Sequence, residues 1–162
     1  MISQKETERE VNLLFEKFTS WNQIEIKVIM TDDFYCYHKL IRQYFPNTSH
    51  ILCIWHVYRA WNRKLKKIFG TNLSSNIFHK LVQIQRILDP IEFQCQYEQF
   101  VNLSNAALRD YLTKNYSNRV QQWAACYRKY MNINVNMYIE SMHKLLKRKY
   151  LKGIFFKSVA LN

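Results

Sequence analysis

Two carboxylates, a thiol and an imidazole stand where they could do chemistry. Asp32 closes Val28-Ile-Met-Thr-Asp-Asp33, Cys53 and His56 form a Cys-x2-His, and Glu140 sits in Asn136-Met-Tyr-Ile-Glu-Ser-Met-His-Lys-Leu-Leu-Lys147. Clustered carboxylates hold hard divalent cations such as Mg²⁺ or Mn²⁺, and two such ions stabilise the attacking and leaving oxygens of phosphoryl transfer. Asp32 and Glu140 could be two ligands of such a centre. Each residue also has a plainer role. Asp32 could end a strand in a turn or cap a helix, and Glu140 could pair with Lys144 one turn on. Cys53 and His56 have zinc-like spacing, but no second Cys/His pair follows at zinc-finger spacing. A buried thiol packed beneath a histidine that orients a neighbouring acid or phosphate suits them better. His38, His50 and His79 lie outside any motif and read as surface or packing residues. No Gly-rich phosphate loop, dinucleotide fingerprint or Ser-His-Asp arrangement occurs, so nucleotide hydrolysis and hydride transfer have no support.

The elements that must position these groups follow from the apolar pattern. Residues 5–20 carry Val11, Leu14, Phe15 and Phe18 near helical spacing, and Trp21-Asn22 ends the run. Ile24–Met30 alternates and then turns fully apolar, as a strand entering a sheet would. A helix from Phe34 to Phe45 is stopped by Pro46, and His50–Ile54 predicts a second short strand. Strand, helix and strand make a βαβ unit with parallel strands, which sets Asp32 at the carboxyl edge where open α/β sheets bind ligands.

Val57, Trp61, Leu65 and Ile68 then mark an amphipathic helix with a basic face carrying Arg59, Arg63, Lys64 and Lys67. After Gly70 a second stripe runs through Ile77, Leu81, Ile84 and Leu88. Asp89-Pro90-Ile91-Glu92 starts another helix, Ser104 is placed to cap the next, and residues 118–131 predict one more. The last helix spans about 136–150, with Glu140, His143, Lys144 and Lys147 on one face and Arg148 beside them; Gly153 can end it. The segment from about 71 to 132 therefore reads as a helical insertion.

The whole is a mostly helical α/β chain. Its 162 residues, 48% of them hydrophobic, suffice for a core, and only two Gly and two Pro argue against an all-β fold. Four unpaired-looking cysteines and a polar N-terminus predict reduced thiols inside a cell. No apolar run reaches the roughly 20 residues of a membrane span. The formal charge of +12, with 15% aromatic residues, attracts polyanions and offers faces for bases to stack on, so nucleic acid is the expected partner.

Taken in order, Val28-Ile-Met-Thr-Asp32, Tyr44-Phe-Pro46, His50-Ile-Leu-Cys-Ile-Trp-His56 with Arg59 and Trp61-Asn62, and Met137–Lys147 followed by Tyr150-Leu-Lys-Gly153 resemble the transposase domain of Mutator-like elements. The resemblance spans nearly the whole chain. It implies an RNase H-like fold with an Asp-Asp-Glu triad interrupted by a helical insertion before the Glu. Asp32 would be the second catalytic acid and Glu140 the third, with Mg²⁺ or Mn²⁺ as cofactor and Cys53 and His56 as the family's Cys-x2-His. Asp33 would not be a ligand.

The family's first Asp lies on an earlier strand, so the expectation is a domain truncated at its start and inactive alone in strand cleavage and transfer. Arg59, Arg63, Lys64, Lys67, His143, Lys144, Lys147 and Arg148 are the DNA-binding candidates. A nuclear location and homo-oligomers follow from the resemblance. The alternative is a transposase-derived module that binds DNA or assembles without chemistry.

Overall fold

The computed structural model describes residues 7–131 and 133. Glu140, His143, Lys144, Lys147 and Arg148, with the helix expected over 136–150, lie outside the described residues. Five α-helices, two parallel strands and two 3₁₀ turns make up the rest: α1 (Glu8–Trp21), β1 (Val28–Thr31), α2 (Tyr35–Tyr44), β2 (Ser49–Leu52), α3 (Ile54–Gln85), α4 (Pro90–Leu103), α5 (Ala106–Asn115), and the turns Ser117–Gln122 and Ala125–Tyr127. The protein is mostly helical with a small parallel sheet. No described helix is long and apolar enough to cross a membrane.

Helix α1 begins with a full capping box. The Glu10 N–H donates to Thr7 Oγ1 at 3.3 Å, and the Thr7 N–H donates to the Glu10 carboxylate at 3.0 Å. Its Val11 packs with Cys36 and Leu40 of α2 to form a small core ringed by Phe15, Phe34, Tyr37 and Tyr44. Lys39 bridges to Glu8 at 2.8 Å across the same contact. Leu13, Leu14 and Trp21 of α1 remain exposed.

Strands β1 and β2 pair in parallel, Val28 opposite Ser49 through Thr31 opposite Leu52. The strand expected from Ile24 begins only at Val28. A strand extends only as far as its partner, and β2 starts at Ser49, after the turn that follows Pro46. Instead the Thr48 hydroxyl donates to the Ile26 carbonyl and the Ser49 N–H to that of Lys27. At the other end Cys53 and Ile54 leave the strand: Cys53 sits at the N-cap of α3, its N–H donating to the Thr31 carbonyl at 2.7 Å.

Helix α3 is broken at Gly70, whose φ of 73° with ψ of −177° only glycine adopts without strain. Space is not what forbids a side chain there, because an added Cβ would meet nothing within 4 Å. Before the break Val57, Trp61 and Leu65 are buried; beyond it Leu81 and Ile84 are, whereas Leu88 falls past the helix end and is exposed. Asp89 caps α4 through the Glu92 N–H at 2.8 Å, with Pro90 in the first turn.

Asn105, not Ser104, caps α5. Its side chain accepts from the Leu108 N–H at 2.9 Å, while the Ser104 hydroxyl turns back to the Phe100 carbonyl and closes α4.

The helix expected over 118–131 is replaced by the two 3₁₀ turns, with Arg119 at φ −145° and ψ 38°. The main core explains the difference. Trp123 is wholly buried, edge-on to Trp61 at 5.3 Å and Tyr97 at 5.3 Å and near Phe93 at 5.5 Å. Its indole N–H donates to the Tyr116 carbonyl at 3.1 Å. Edge-to-face aromatic pairs add about 0.5–1.5 kcal/mol each beyond burial, enough to bend a short segment away from regular helix.

Candidate functional site

Two clefts flank one ion pair at the carboxyl end of β1. The pair is formed by Asp33 and Arg119. Arg119 Nη1 and Nη2 donate to the two Asp33 oxygens at 2.6 and 2.7 Å, the parallel fork that guanidinium and carboxylate favour. His38 Nε2 lies 3.1 Å from Asp33 Oδ1 and 2.8 Å from Arg119 Nη1. Burial alone would raise the Asp33 pKa, but hydrogen bonds from His38 and Arg119, and their charges, outweigh it and lower the value from 3.8 to about 2. The Arg119 guanidinium also lies over the Tyr116 ring at 5.5 Å and donates through Nε to the Asn115 carbonyl at the end of α5.

The first cleft, of about 480 Å³, is lined by Asp32, His56, Arg59, Arg63, Tyr111 and Asn115, among others. It unites four residues singled out in the sequence, because β1 ends at its floor and the first turns of α3 form its wall. Arg59 and Arg63 are four residues apart, hence on one helical face, and both are exposed. Arg59 lies over the Trp55 ring at 5.2 Å, and Lys64 over Tyr111 at 5.3 Å, contacts that steady long cationic side chains. Lys67 is exposed one turn beyond Arg63. Burial raises the Tyr111 hydroxyl pKa, so it remains a neutral donor.

His56 lines the cleft, whereas Cys53 is wholly buried. Cys36, Cys53 and Cys126 are buried, and Cys95 is exposed. Among the described residues no group of three or more His, Cys, Asp or Glu side chains could hold a metal ion. The described residues therefore do not by themselves fit the Mg²⁺ or Mn²⁺ that a transposase centre needs. Asp33 is held by a guanidinium, and Asp32 shares its cleft with two arginines.

The second cleft, of about 550 Å³, lies on the other side of Arg119, between α2 and the first 3₁₀ turn. His38 and His50 belong to it, and neither is a mere packing residue. His50 sits diagonally across the sheet from Thr31, on the same face, and the two are 2.8 Å apart. Thr31 Oγ1 also lies 2.7 Å from the Asp32 carbonyl; with the Thr31 proton directed there, His50 carries its hydrogen on Nε2 and donates to Thr31. Nδ1 is then an acceptor, 3.4 Å from Gln122 Nε2. Burial, and next the nearby His38 and Arg119, lower the His50 pKa from 6.5 to about 4, so the ring is neutral at physiological pH.

Arg128 supports the same floor. It is buried, and its Nη1 donates to the Leu52 carbonyl at 2.7 Å, closing the carboxyl end of β2. Its burial lowers the guanidinium pKa to about 10, which leaves it charged. A third cleft, of about 410 Å³ between α3 and α4, is walled by Phe69, Ile77, Phe100 and Leu108 and holds none of the candidate residues.

Sequence reasoning missed Arg119, Arg128 and Gln122, which return to the sheet end from 70 or more positions away. The signal for His50 was present: alternation along β2 places it on the face of Thr31. Compared with protein-family models and with curated proteins, the sequence has no match.

Proposed function

We propose that this protein is a transposase-derived, RNase H-like domain that binds DNA through the basic face of α3 and the cleft beneath it. The observation that carries the proposal is the convergence of Arg59 and Arg63 on the cleft that holds Asp32 and His56, in a chain of formal charge +12. Exposed arginines on one helical turn contact phosphates, and His56 can donate beside them. Glu140, His143, Lys144, Lys147 and Arg148 belong to the same proposal through the family resemblance, as do a nuclear location and self-association on DNA.

Strand cleavage by this chain is expected at or near background. A second reading is a module that binds or assembles on DNA without chemistry, favoured by the two arginines that share the cleft with Asp32. A Mg²⁺ or Mn²⁺ ion held by Asp32 and Glu140 remains the catalytic alternative. Robust Mg²⁺-dependent nicking of a plasmid, lost in Asp32→Ala, would establish that alternative.

Binding itself is tested with a fluorescent duplex in a salt series. The logarithm of affinity should fall with that of salt by about 0.9 for each phosphate contact, and Arg59→Ala with Arg63→Ala should lower the slope by about 2. A wild-type affinity flat in salt would rule the proposal out.

A further inference from the structure

We propose that the second cleft binds a phosphate group, with the Arg42 guanidinium as its charged anchor and the Ser49 hydroxyl and the Asn118 and Gln121 amides as neutral donors. The site lies apart from the α3 face that carries the DNA-binding proposal, and it does not require that proposal to hold. At about 550 Å³ the cleft has room for a phosphate ester. Three elements build its polar wall: Arg42 stands in the last turn of α2, Ser49 opens β2, and Asn118 and Gln121 lie in the first 3₁₀ turn. All four residues are exposed. Among the described residues, no Asp or Glu lines the cleft.

Charge and shape both point to this ligand. Arg42 makes no ion pair among the described residues, whereas Arg119, the other guanidinium of the lining, is already held by Asp33. His50 reports the local field. After burial, the charges of His38 and Arg119 push its pKa down, and Asp33 opposes them only as the smallest effect. Positive charge therefore gathers in this cleft without a matching acid, and a bound anion relieves it. A phosphate accepts on several oxygens at once, which suits donors contributed by three elements, and a guanidinium offers paired N–H groups to two of those oxygens. A planar carboxylate would leave part of that set unused.

The test uses the full chain. Inorganic phosphate is titrated against chloride at matched pH and ionic strength, while the Arg42 Nε–H and the Ser49 backbone N–H are followed by NMR. Phosphate is expected to move both signals saturably at millimolar concentration, and chloride to move neither. Arg42→Gln should weaken phosphate binding about tenfold. It should leave the thermal melt unchanged, since Arg42 is exposed and unpaired among the described residues. Two single strands of one sequence, with and without a 5′-phosphate, then separate the sources. Tighter binding of the phosphorylated strand, lost in Arg42→Gln, assigns a terminal phosphate. Equal binding of both strands, weakened alike by Arg42→Gln, assigns a backbone phosphodiester.

The inference is overturned if phosphate moves these signals no more than chloride does, or if Arg42→Gln binds phosphate as tightly as the wild type. A duplex affinity flat in salt would overturn the DNA-binding proposal instead, and the phosphate titration would still decide this one.

Discussion

On one side of the Asp33–Arg119 pair the cleft walls set two arginines against an acid; on the other Arg42 stands among amides, hydroxyls and imidazoles with no acid facing it. The first cleft presents Arg59 and Arg63 around Asp32, and the second presents Gln122, Asn118 and a neutral His50. The difference teaches that one ion pair can divide a sheet end into two clefts of different lining.

The largest effect should come from removing what both clefts share. Trp123→Ala empties the aromatic core beside Gln122 and should cost about 3–5 kcal/mol by chemical denaturation, with loss of both clefts. Retained stability with only one cleft disabled would mean that they are not built on common support. Arg119→Met removes the dividing pair. With the Asp33 side chain 30% exposed, the stability loss is discounted for solvent to about 1–2 kcal/mol. The Asp33 pKa should then rise from about 2 to the ordinary carboxylate range or above, because burial persists when its partner has gone. A ¹³C carboxyl titration reads this directly, and an unmoved value would show that Arg119 is not what lowers it.

The smallest effect separates the two sides by pH. His50 is held at about 4 in the folded chain against 6.5, so the unfolded chain takes up the proton first and stability falls as pH drops from 6.5 to 4. Asp33, at about 2 against 3.8, gives stability that is present above about pH 4 and lost as pH falls through 2. Thermal melts should show about 3 °C or more lost across the upper window. His50→Gln should flatten the upper window alone, and Asp33→Asn the lower alone. An unchanged upper window in His50→Gln would place the acid sensitivity elsewhere.

Local pattern made much of this fold legible. Helical spacing announced α1, capping residues announced α4, Gly70 divided the two stripes of α3, and apolar runs announced the parallel βαβ unit with Asp32 at its carboxyl end. The basic face of α3 was visible in the same way, whereas the place of His56 in its first turn was not. Where local signals competed, the sequence misled. Ser104 and Asn105 can both cap, and the outcome depends on which hydroxyl or amide finds the free N–H.

The place of Asp32 at the end of its strand and of Arg59 and Arg63 on one helix face was determined by sequence alone, because the period of each element fixes direction; that they share a cleft was decided by tertiary structure. The second cleft was decided only by tertiary structure. Residues 117–127 have a helical composition, yet Trp123 must enter an aromatic core while Arg119 reaches Asp33, 86 positions earlier. Regular helix would point those two side chains by its own period. Packing and one buried-edge ion pair set their directions instead, and in doing so turned Gln122 toward His50.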